Sequence, residues 1–216
     1  MFAKHGYRIV NKIEDADIVV FTGGADVDPQ LYGEQKHHRT FVDPNRDQRD
    51  LAIWGAAGRN QLHVGICRGA QFLNVMCGGS LWQHVDKHAI SGTHLLLDKC
   101  FGTLLEPIPV TSTHHQQMRP NSNGEILGIG IASETSRRPI CDFKENGTSV
   151  GWTIVRAEED PDVEVVWYRE QKCFCFQPHP EYRHKPTEDY FFQLLEDYIL
   201  PCVDKDVKTE SLLEAS

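Results

Sequence analysis

Gly65-Ile66-Cys67-Arg68-Gly69 is the most informative pentapeptide of this chain. It stands between a short apolar run, Leu62 to Val64, and a helix-like stretch from Ala70 to Cys77. A cysteine flanked in this way at a strand-to-helix junction is the thiol form of a nucleophile elbow, a turn too sharp for side chains at the flanking glycine positions. The turn lifts the sulfur off the sheet and places it at a helix N-terminus, where the dipole stabilises a thiolate. The pentapeptide alone predicts a reactive cysteine.

The segments around the elbow predict an α/β fold. Tyr7 to Val10 and Asp17 to Thr22 are interpreted as short strands, and Arg46 to Gly58 as a helix. Leu62 to Ile66 is an unalternated apolar run, typical of a buried parallel strand, and Arg68 to Cys77 is the helix that follows it. This order of strands and helices favours a mainly parallel sheet with covering helices.

The second half of the chain has a different pattern. Ser91 to Gly130 is rich in His, Thr, Pro and Gly, and we expect loops and small antiparallel strands there. Val163 to Tyr168 and Cys173 to Gln177 are interpreted as a hairpin. A last helix is expected to begin near Thr187, a favourable N-cap followed by acidic residues.

Length and charge limit the domain organisation and the partners. With 216 residues, 40% hydrophobic and 25% charged, we expect one globular domain over residues 1–202 and a mobile C-terminal tail over residues 203–216. The formal charge of -9 argues against a nucleic-acid partner, which needs a basic face. Apolar runs such as Ile18 to Phe21 are too short to cross a bilayer, so we also expect no membrane partner.

Cysteine and histidine usage argues against disulfides, metals and cofactors. Seven cysteines without a framework spacing, in a chain without an apparent signal peptide, predict free thiols in a reducing cytoplasm. No second cysteine pair completes a site with Cys173 and Cys175. His84, His88 and His94 lack a carboxylate or cysteine at a matching spacing. We therefore expect no metal site and no cofactor.

The segment Gln177-Pro178-His179-Pro180-Glu181 supplies a base for Cys67 and a group to orient that base. His179 and Glu181 are two residues apart in a chain that the prolines hold extended, so their side chains point to one side. Glu181 can accept a hydrogen bond from one imidazole nitrogen while the other nitrogen faces the thiol. The sequence thus predicts a catalytic triad of Cys67, His179 and Glu181.

An oxyanion hole requires backbone N–H groups near the sulfur. The amide of Arg68 follows the cysteine directly. The Gly23-Gly24 turn lies at the carboxyl end of the strand Asp17 to Thr22, the edge where open α/β sheets bind ligands. We assign the second donor to Gly24, with Gly23 as the alternative.

Together these motifs resemble the class I glutamine amidotransferase-like family, in its γ-glutamyl hydrolase (peptidase C26-like) branch. The family resemblance implies a flavodoxin-like, mainly parallel sheet with helices on both faces and a small antiparallel section. The matching stretches span most of the chain and are Thr22 to Pro29 with Tyr32-Gly33, Arg46-Asp47, Gly65 to Gln71 through Leu73-Asn74-Val75 and Gly78 to Leu81, Thr113 to Gln116, and Gln177 to Glu181.

The resemblance also implies a reaction and further site residues. It implies hydrolysis of a γ-glutamyl amide through a thioester on Cys67, with His179 protonating the leaving amine and then activating water. Gln71 matches a position that helps to hold the glutamyl α-amino and α-carboxylate groups; the alternative is a helix residue that caps its own turn. His115 and Gln116 match a loop that lines the same pocket.

The chain departs from the family pattern at three points. The usual first strand, of the type Ile-Gly-Ile-Thr, is missing, and residues before Tyr7 resemble the helix that follows it. The carboxylate after Arg46-Asp47 is Asp50 in place of glutamate, and Pro178 replaces the aromatic residue before His-Pro-Glu. A missing strand leaves a sheet edge or apolar surface to cover, which makes a homodimer plausible.

Three functions compete at this point. The first is a free-standing hydrolase of a small γ-glutamyl amine or peptide. The second is a glutaminase subunit that delivers ammonia to a separate synthetase partner. The third is a catalytically silent binding or regulatory protein on the same fold, against which the intact Cys67, His179 and Glu181 argue.

Overall fold

A computed structural model gives the structure of the chain and describes residues 1–58, 60–85, 88–101, 106–131, 138–143, 149–155 and 161–204. Most of the tail expected over residues 203–216 therefore lies outside the described residues. The strands are β1 (Ile18–Phe21), β2 (Leu62–Ile66), β3 (Ser80–Trp82), β4 (Ala89–Asp98), β5 (Ile108–Thr113), β6 (Gln117–Arg119), β7 (Glu125–Gly130), β8 (Arg138–Phe143), β9 (Ser149–Val155), β10 (Asp162–Tyr168) and β11 (Cys173–Phe176). The helices are α1 (Pro44–Ala56), α2 (Arg68–Met76) and α3 (Lys185–Gln193), the last continued by a π-helical turn, Leu194–Ile199.

The central sheet has seven strands in the order β1-β2-β11-β10-β7-β4-β5. β1, β2 and β11 pair in parallel, and the remaining neighbours are antiparallel. As a result β1, β2, β11, β7 and β5 run in one direction, and only β10 and β4 oppose it. Two small antiparallel pairs, β3 with β6 and β8 with β9, lie outside this sheet. The predicted α/β class, with mostly parallel strands and a small antiparallel section, is confirmed.

Successive side chains of the central strands point to opposite faces of the sheet, so the core is divided into two clusters, one on each face. Leu62, Val64 and Ile66 of β2 pack with Phe174 of β11 in one cluster, which includes the apolar face of α3. Cys173 and Cys175 of β11 belong to the opposite cluster, with Ala70, Phe72 and Leu73 of α2. Full burial of each large apolar side chain contributes roughly 1.5–3 kcal/mol. Helices therefore cover both faces, as expected.

An N-cap residue and a proline set the start of the helix that contains Arg46. Asp43 is the N-cap of α1, and its carboxylate accepts hydrogen bonds from the amides of Asn45 and Arg46. Pro44 occupies the first turn, where the missing N–H costs nothing. The helix thus starts at Pro44 and ends at Ala56, two residues before the predicted bounds at each end.

The start expected for the last helix is wrong. α3 begins at Lys185, after His184, and Pro186 fits its first turn because proline is tolerated there. Thr187 is therefore inside the helix and is fully buried. Its hydroxyl accepts a hydrogen bond from the Thr111 amide at 3.1 Å, so it ties α3 to β5 and does not cap the helix.

The strand expected at Tyr7 to Val10 is also wrong. These residues form no strand, and Phe2–His5 before them is a 3-10 helix that ends at Gly6 with φ 85°. The Tyr7 ring packs edge-on against Phe2, with ring centroids 5.5 Å apart, and lies beside Phe192. Packing against α3 therefore replaces pairing in the sheet. Because residues before Tyr7 form no strand, the structure agrees with a missing first strand.

The region from Ser91 to Gly130 is more ordered than expected. β4, β5 and β7 belong to the central sheet, where the prediction had only loops and small strands. Along β4, Leu96 is fully buried while Leu95 is half exposed, the alternation of a strand with one covered face.

Among the helices that the structure describes, none is both long and apolar enough to cross a membrane.

Candidate active site

The elbow between β2 and α2 requires both of its glycines. A Cβ at Gly65 would lie 2.5 Å from the carbonyl oxygen of Gly69, and a Cβ at Gly69 would overlap the carbonyl oxygen of Phe21 on β1. Between them Cys67 has φ 52° and ψ -112°, a conformation that residues other than glycine rarely adopt. Cys67 is the N-cap residue of α2, so its side chain stands at the helix N-terminus at the carboxyl edge of the sheet.

His179 and Glu181 follow β11 and meet as the sequence predicts. His179 Nδ1 lies 2.7 Å from Glu181 Oε1. The backbone of His179 is held by Thr111 on β5, because its amide donates to the Thr111 hydroxyl at 2.7 Å. Tyr182 stacks on the imidazole, with centroids 4.2 Å apart and planes 10° from parallel. Glu181 and Tyr182 thus hold the imidazole ring, and Thr111 holds the backbone that carries it.

The side chain of Cys67 acts on the same imidazole, because it is one of the two partners that raise the pKa of His179. Since Nδ1 faces Glu181, Nε2 is the ring nitrogen left for the thiol. Burial lowers the pKa of His179, but the hydrogen bonds and charges of Cys67 and Glu181 outweigh it and raise the pKa to about 9. A ring with this pKa carries a proton at neutral pH and can donate it to a leaving group.

A cavity of about 230 Å³ opens over the thiol and collects most of the remaining predicted residues. Its wall includes Cys67, Arg68, Gly24, Gln71, His115 and Gln116. Gly23 lies beside it, since a Cβ there would be 3.0 Å from His179 Cε1 and 3.8 Å from Cys67 Cβ. The His179 ring therefore lies next to Cys67 at the edge of this cavity.

Gln71 spans two elements and does not cap its own turn. Its side-chain Nε2 donates to the carbonyl oxygen of Gln116 at 3.1 Å and to Gln177 Oε1 at 3.2 Å. The Gln116 side chain in turn donates to Thr40 Oγ1 and to the Gln83 carbonyl, each at 3.2 Å. Both glutamines are almost fully buried, so they brace the cavity wall as well as line it.

His115 is the more accessible of the two predicted loop residues. Its Nε2 lies 3.0 Å from Asp26 Oδ1, and its side chain is 30% exposed. Asp26 itself is buried and accepts a hydrogen bond from the Phe41 amide at 2.7 Å. An imidazole and a carboxylate therefore face each other at the cavity entrance, where they could contact the polar groups of a substrate.

The structure shows a role for Arg46 that the sequence did not reveal. Its guanidinium donates to the carbonyl oxygens of Thr22 at 2.7 Å and Gly23 at 3.1 Å. In a trans peptide the C=O and N–H groups point in opposite directions, so the N–H of Gly24 is directed away from Arg46. The Arg46-Asp47 pair is one of the stretches that resemble the family, but its sequence alone did not predict a function for Arg46.

Arg68 is fixed by an ion-pair network with helix α1. Its guanidinium is bonded to Asp47 and to Asp50, and Asp50 also accepts from Arg46 Nε at 3.0 Å. Arg68, Asp47 and Asp50 are buried and Arg46 is half-buried, which makes these ion pairs costly to separate. Asp50, shorter than the glutamate usual in the family, still reaches both arginines. α1 therefore anchors the elbow and the Gly23-Gly24 turn together.

Comparison with known proteins gives matches over most of the chain. Residues 3–181 match the model of a protein family described as Peptidase C26. The glutamine amidotransferase-like protein YvdE of Lactococcus lactis subsp. lactis is 38% identical over 176 residues, which cover 81% of this chain and 70% of that protein. Its homolog from Lactococcus lactis subsp. cremoris is 38% identical over 134 residues, covering 54% of this chain and 71% of that protein. Among solved structures, a glutamine amidotransferase of Thermotoga maritima (TM1158) has a similar fold, with a TM-score of 0.50, 16% identity and coverage of 99% of this chain and 80% of that chain.

Proposed function

The chain belongs to the peptidase C26 family of glutamine amidotransferase-like proteins, and we propose that it hydrolyses the amide bond of a small γ-glutamyl compound. The observation that carries this proposal is the grouping of Cys67, His179 and Glu181 at the edge of a partly open cavity, with His179 hydrogen-bonded to Glu181 and with Gly23 close to both His179 and Cys67. At about 230 Å³ the cavity is smaller than the roughly 300–1,000 Å³ typical of drug-sized ligands. That volume suits an amino-acid-sized acyl group, with the leaving amine at the entrance.

Acylation begins when the sulfur of Cys67 attacks the γ-carbonyl carbon. The carbonyl oxygen takes up negative charge, which the amides of Arg68 and Gly24, or of Gly23, would stabilise. The tetrahedral intermediate collapses with loss of the amine, which takes a proton from His179. The raised pKa of this imidazole supports its role as the acid, because the ring is protonated at neutral pH before the reaction starts.

Deacylation reverses these roles. The neutral His179 left after acylation takes a proton from water as the water attacks the thioester carbonyl carbon. A second tetrahedral intermediate then breaks its C–S bond, releases free glutamate with the water oxygen in its γ-carboxylate, and returns the electron pair to Cys67 while His179 keeps the proton. Glu181 keeps Nδ1 of the imidazole hydrogen-bonded throughout, so the ring presents its other nitrogen to the thiol and to water.

Substrate recognition is assigned to Gln71, His115 and Gln116. Gln71 and the Gln116 backbone are held together by a 3.1 Å hydrogen bond in the cavity wall, so they can present amide and carbonyl groups to the glutamyl α-amino and α-carboxylate groups. His115 with Asp26 is placed at the entrance, where the leaving amine would pass.

The proposal is tested by measuring amine or ammonia release from glutamine and from a panel of γ-glutamyl amines. We expect hydrolysis of at least one panel member by the natural chain and none by Cys67→Ala. Cys100→Ala is the matched control, because Cys100 is outside the cavity wall, and it should keep full activity. Equal activity in Cys67→Ala, or no turnover with any γ-glutamyl compound, would contradict the proposal.

We further infer a cytoplasmic location and a second copy of the chain as a partner. All the cysteines whose side chains the structure describes are free thiols, which suits a reducing compartment.

Among the described residues no strand pairs with the outer edge of β1, and an open strand edge can pair with a second copy of the chain. Sedimentation velocity should then give a dimer; a monomer at all concentrations would exclude it. Delivery of ammonia to a synthetase remains the alternative for the product.

A further inference from the structure

A second cluster of chemically active side chains lies outside the Cys67 site. It consists of His88, His94, His114 and Glu164. One ligand atom from each of these four residues lies within 4.8 Å of the other three. Glu164 is fully buried, and the side chains of His88, His94 and His114 are at most 12% exposed. His88 lies just before β4, His94 is in β4, His114 follows β5, and Glu164 is in β10. The fold therefore brings these residues together from three strands.

The distances in this cluster fit a metal site better than they fit a hydrogen-bond network. His94 Nε2 and His114 Nε2 each lie 3.4 Å from Glu164 Oε1, and His88 Nδ1 lies 3.9 Å from it. Ligand atoms bound at about 2.1 Å in a tetrahedron around zinc are about 3.4 Å from one another. The same spacing is long for a hydrogen bond to a carboxylate, which is usually about 2.7–2.9 Å.

The tautomer of His114 points to a missing positive charge. His114 Nδ1 lies 2.9 Å from the carbonyl oxygen of Gln116, which can only accept, so Nδ1 carries the hydrogen. In the neutral ring Nε2 then holds a lone pair, and it faces the carboxylate of Glu164. Two acceptors at this distance repel each other unless a cation lies between them.

Surrounding groups support the same arrangement. His88 Nδ1 faces Glu164, and its other ring nitrogen, Nε2, lies 3.5 Å from Asp162 Oδ2, so a second buried carboxylate adds negative charge beside the cluster. Gly130 on β7 separates β4 from β10, and a Cβ there would lie 3.6 Å from both Glu164 Oε1 and His94 Nε2. The absent side chain leaves room for these two groups to meet across the strand. The Gln117 side-chain amide donates to Asp162 Oδ1 at 3.2 Å, so it supplies no positive charge to Glu164.

We propose that His88, His94, His114 and Glu164 bind one divalent transition-metal ion, zinc by preference, as a structural site. Three imidazoles and one carboxylate suit zinc, and four protein ligands close its tetrahedron, which leaves no position for a substrate. This differs from the sequence-based expectation of no metal, which considered only neighbouring histidines. The proposal does not depend on the hydrolytic function.

The metal would also fix one wall of the Cys67 cavity. His114 lines that cavity, and its Nδ1 holds the Gln116 carbonyl oxygen, which also accepts from Gln71. Fixing the His114 ring therefore fixes the backbone next to the groups assigned to glutamyl recognition. If the proposed hydrolysis holds, loss of the metal should raise KM more than it lowers kcat.

The test is metal content and metal-dependent spectroscopy of the full chain. Protein stripped with a chelator is titrated with Zn²⁺ and, separately, with Co²⁺, whose visible absorption is strong in tetrahedral sites. We expect one equivalent of either ion, tetrahedral Co²⁺ bands, and a higher Tm with Zn²⁺. Glu164→Gln and His94→Ala should weaken Zn²⁺ binding by more than about 100-fold, beyond the 10- to 100-fold typical of losing an outer-shell partner.

The control separates this cluster from the other histidines. His84→Ala changes a histidine near His115 and His37 at the cavity rim, and it should keep one equivalent of zinc. If Glu164→Gln does not fold by circular dichroism, His94→Ala decides, since His94 is the most exposed ligand. No stoichiometric metal, or loss of zinc in His84→Ala alone, would overturn the proposal.

Discussion

Cys67 is held at φ 52° and ψ -112° so that its sulfur stands clear of the sheet. A residue with a side chain in a sparsely populated conformation of this kind costs of order 1–3 kcal/mol. The fold tolerates this cost because β2 and α2 are fixed on both sides by packing that glycine alone permits. Strain at the nucleophile is thus part of how the site is built.

Cys67→Gly should therefore be more stable than Cys67→Ala. Glycine adopts this conformation without strain, and its extra chain entropy when unfolded cancels about 0.5–1 kcal/mol of the gain. We expect a free energy of unfolding higher by about 1 kcal/mol in the glycine variant, measured by urea denaturation, with both variants inactive. A glycine variant less stable than the alanine variant would mean that the backbone is relaxed at Cys67.

His179 should titrate with a midpoint near pH 9, because hydrogen bonds with Cys67 and Glu181 outweigh its burial. Since the pKa in the folded chain is above the unfolded value of 6.5, this group stabilises the fold fully below pH 6.5 and loses that contribution as the pH rises to about 9. NMR titration of the imidazole measures the midpoint directly. Cys67→Ala and Glu181→Gln should each lower it; an unchanged midpoint in both would contradict the assigned causes.

Helix α1 is the element that connects the two halves of the site. Arg46 binds the carbonyl oxygens of Thr22 and Gly23, while Asp47 and Asp50 bind the guanidinium of Arg68 next to Cys67. The helix thereby sets the position of the Gly23-Gly24 turn relative to the elbow. In the proposed reaction Arg46 would act through the Gly23-Gly24 backbone, as a positioning residue that does not contact the reacting atoms.

Arg46→Ala should lower kcat for amide hydrolysis with little change in KM. Loss of a direct oxyanion donor costs about 10²–10³-fold, and displacement of a donor should cost less, about 10- to 100-fold. Alkylation of Cys67 by iodoacetamide forms no oxyanion, so its rate should be unchanged. Arg46→Lys should recover part of the activity, because one ammonium can bind one of the two carbonyls. An equal loss in alkylation would instead indicate a displaced Cys67 or a general structural defect.

At the scale of the whole molecule, prediction from sequence succeeded where a short motif fixes geometry by itself. Gly65, Gly69 and the prolines around His179 restrict the backbone locally, so the elbow, β2, α2 and the contact of His179 with Glu181 could be predicted. The central place of β4, β5 and β7 could not, because it depends on pairing between distant strands. The same holds for the contacts of Arg46 and for the histidine cluster around Glu164, whose members are joined only by the fold.

Reactive thiols are common, and the proposed function requires that Cys67 alone among the cysteines forms a bond with a glutamine-like carbonyl compound. Mass spectrometry after treatment with a diazo-ketone glutamine analogue at neutral pH measures this directly. We predict one adduct per chain, on Cys67, slowed by excess substrate and absent in Cys67→Ala. No adduct on Cys67, or equally fast labelling of the partly exposed Cys100 and Cys202, would contradict it.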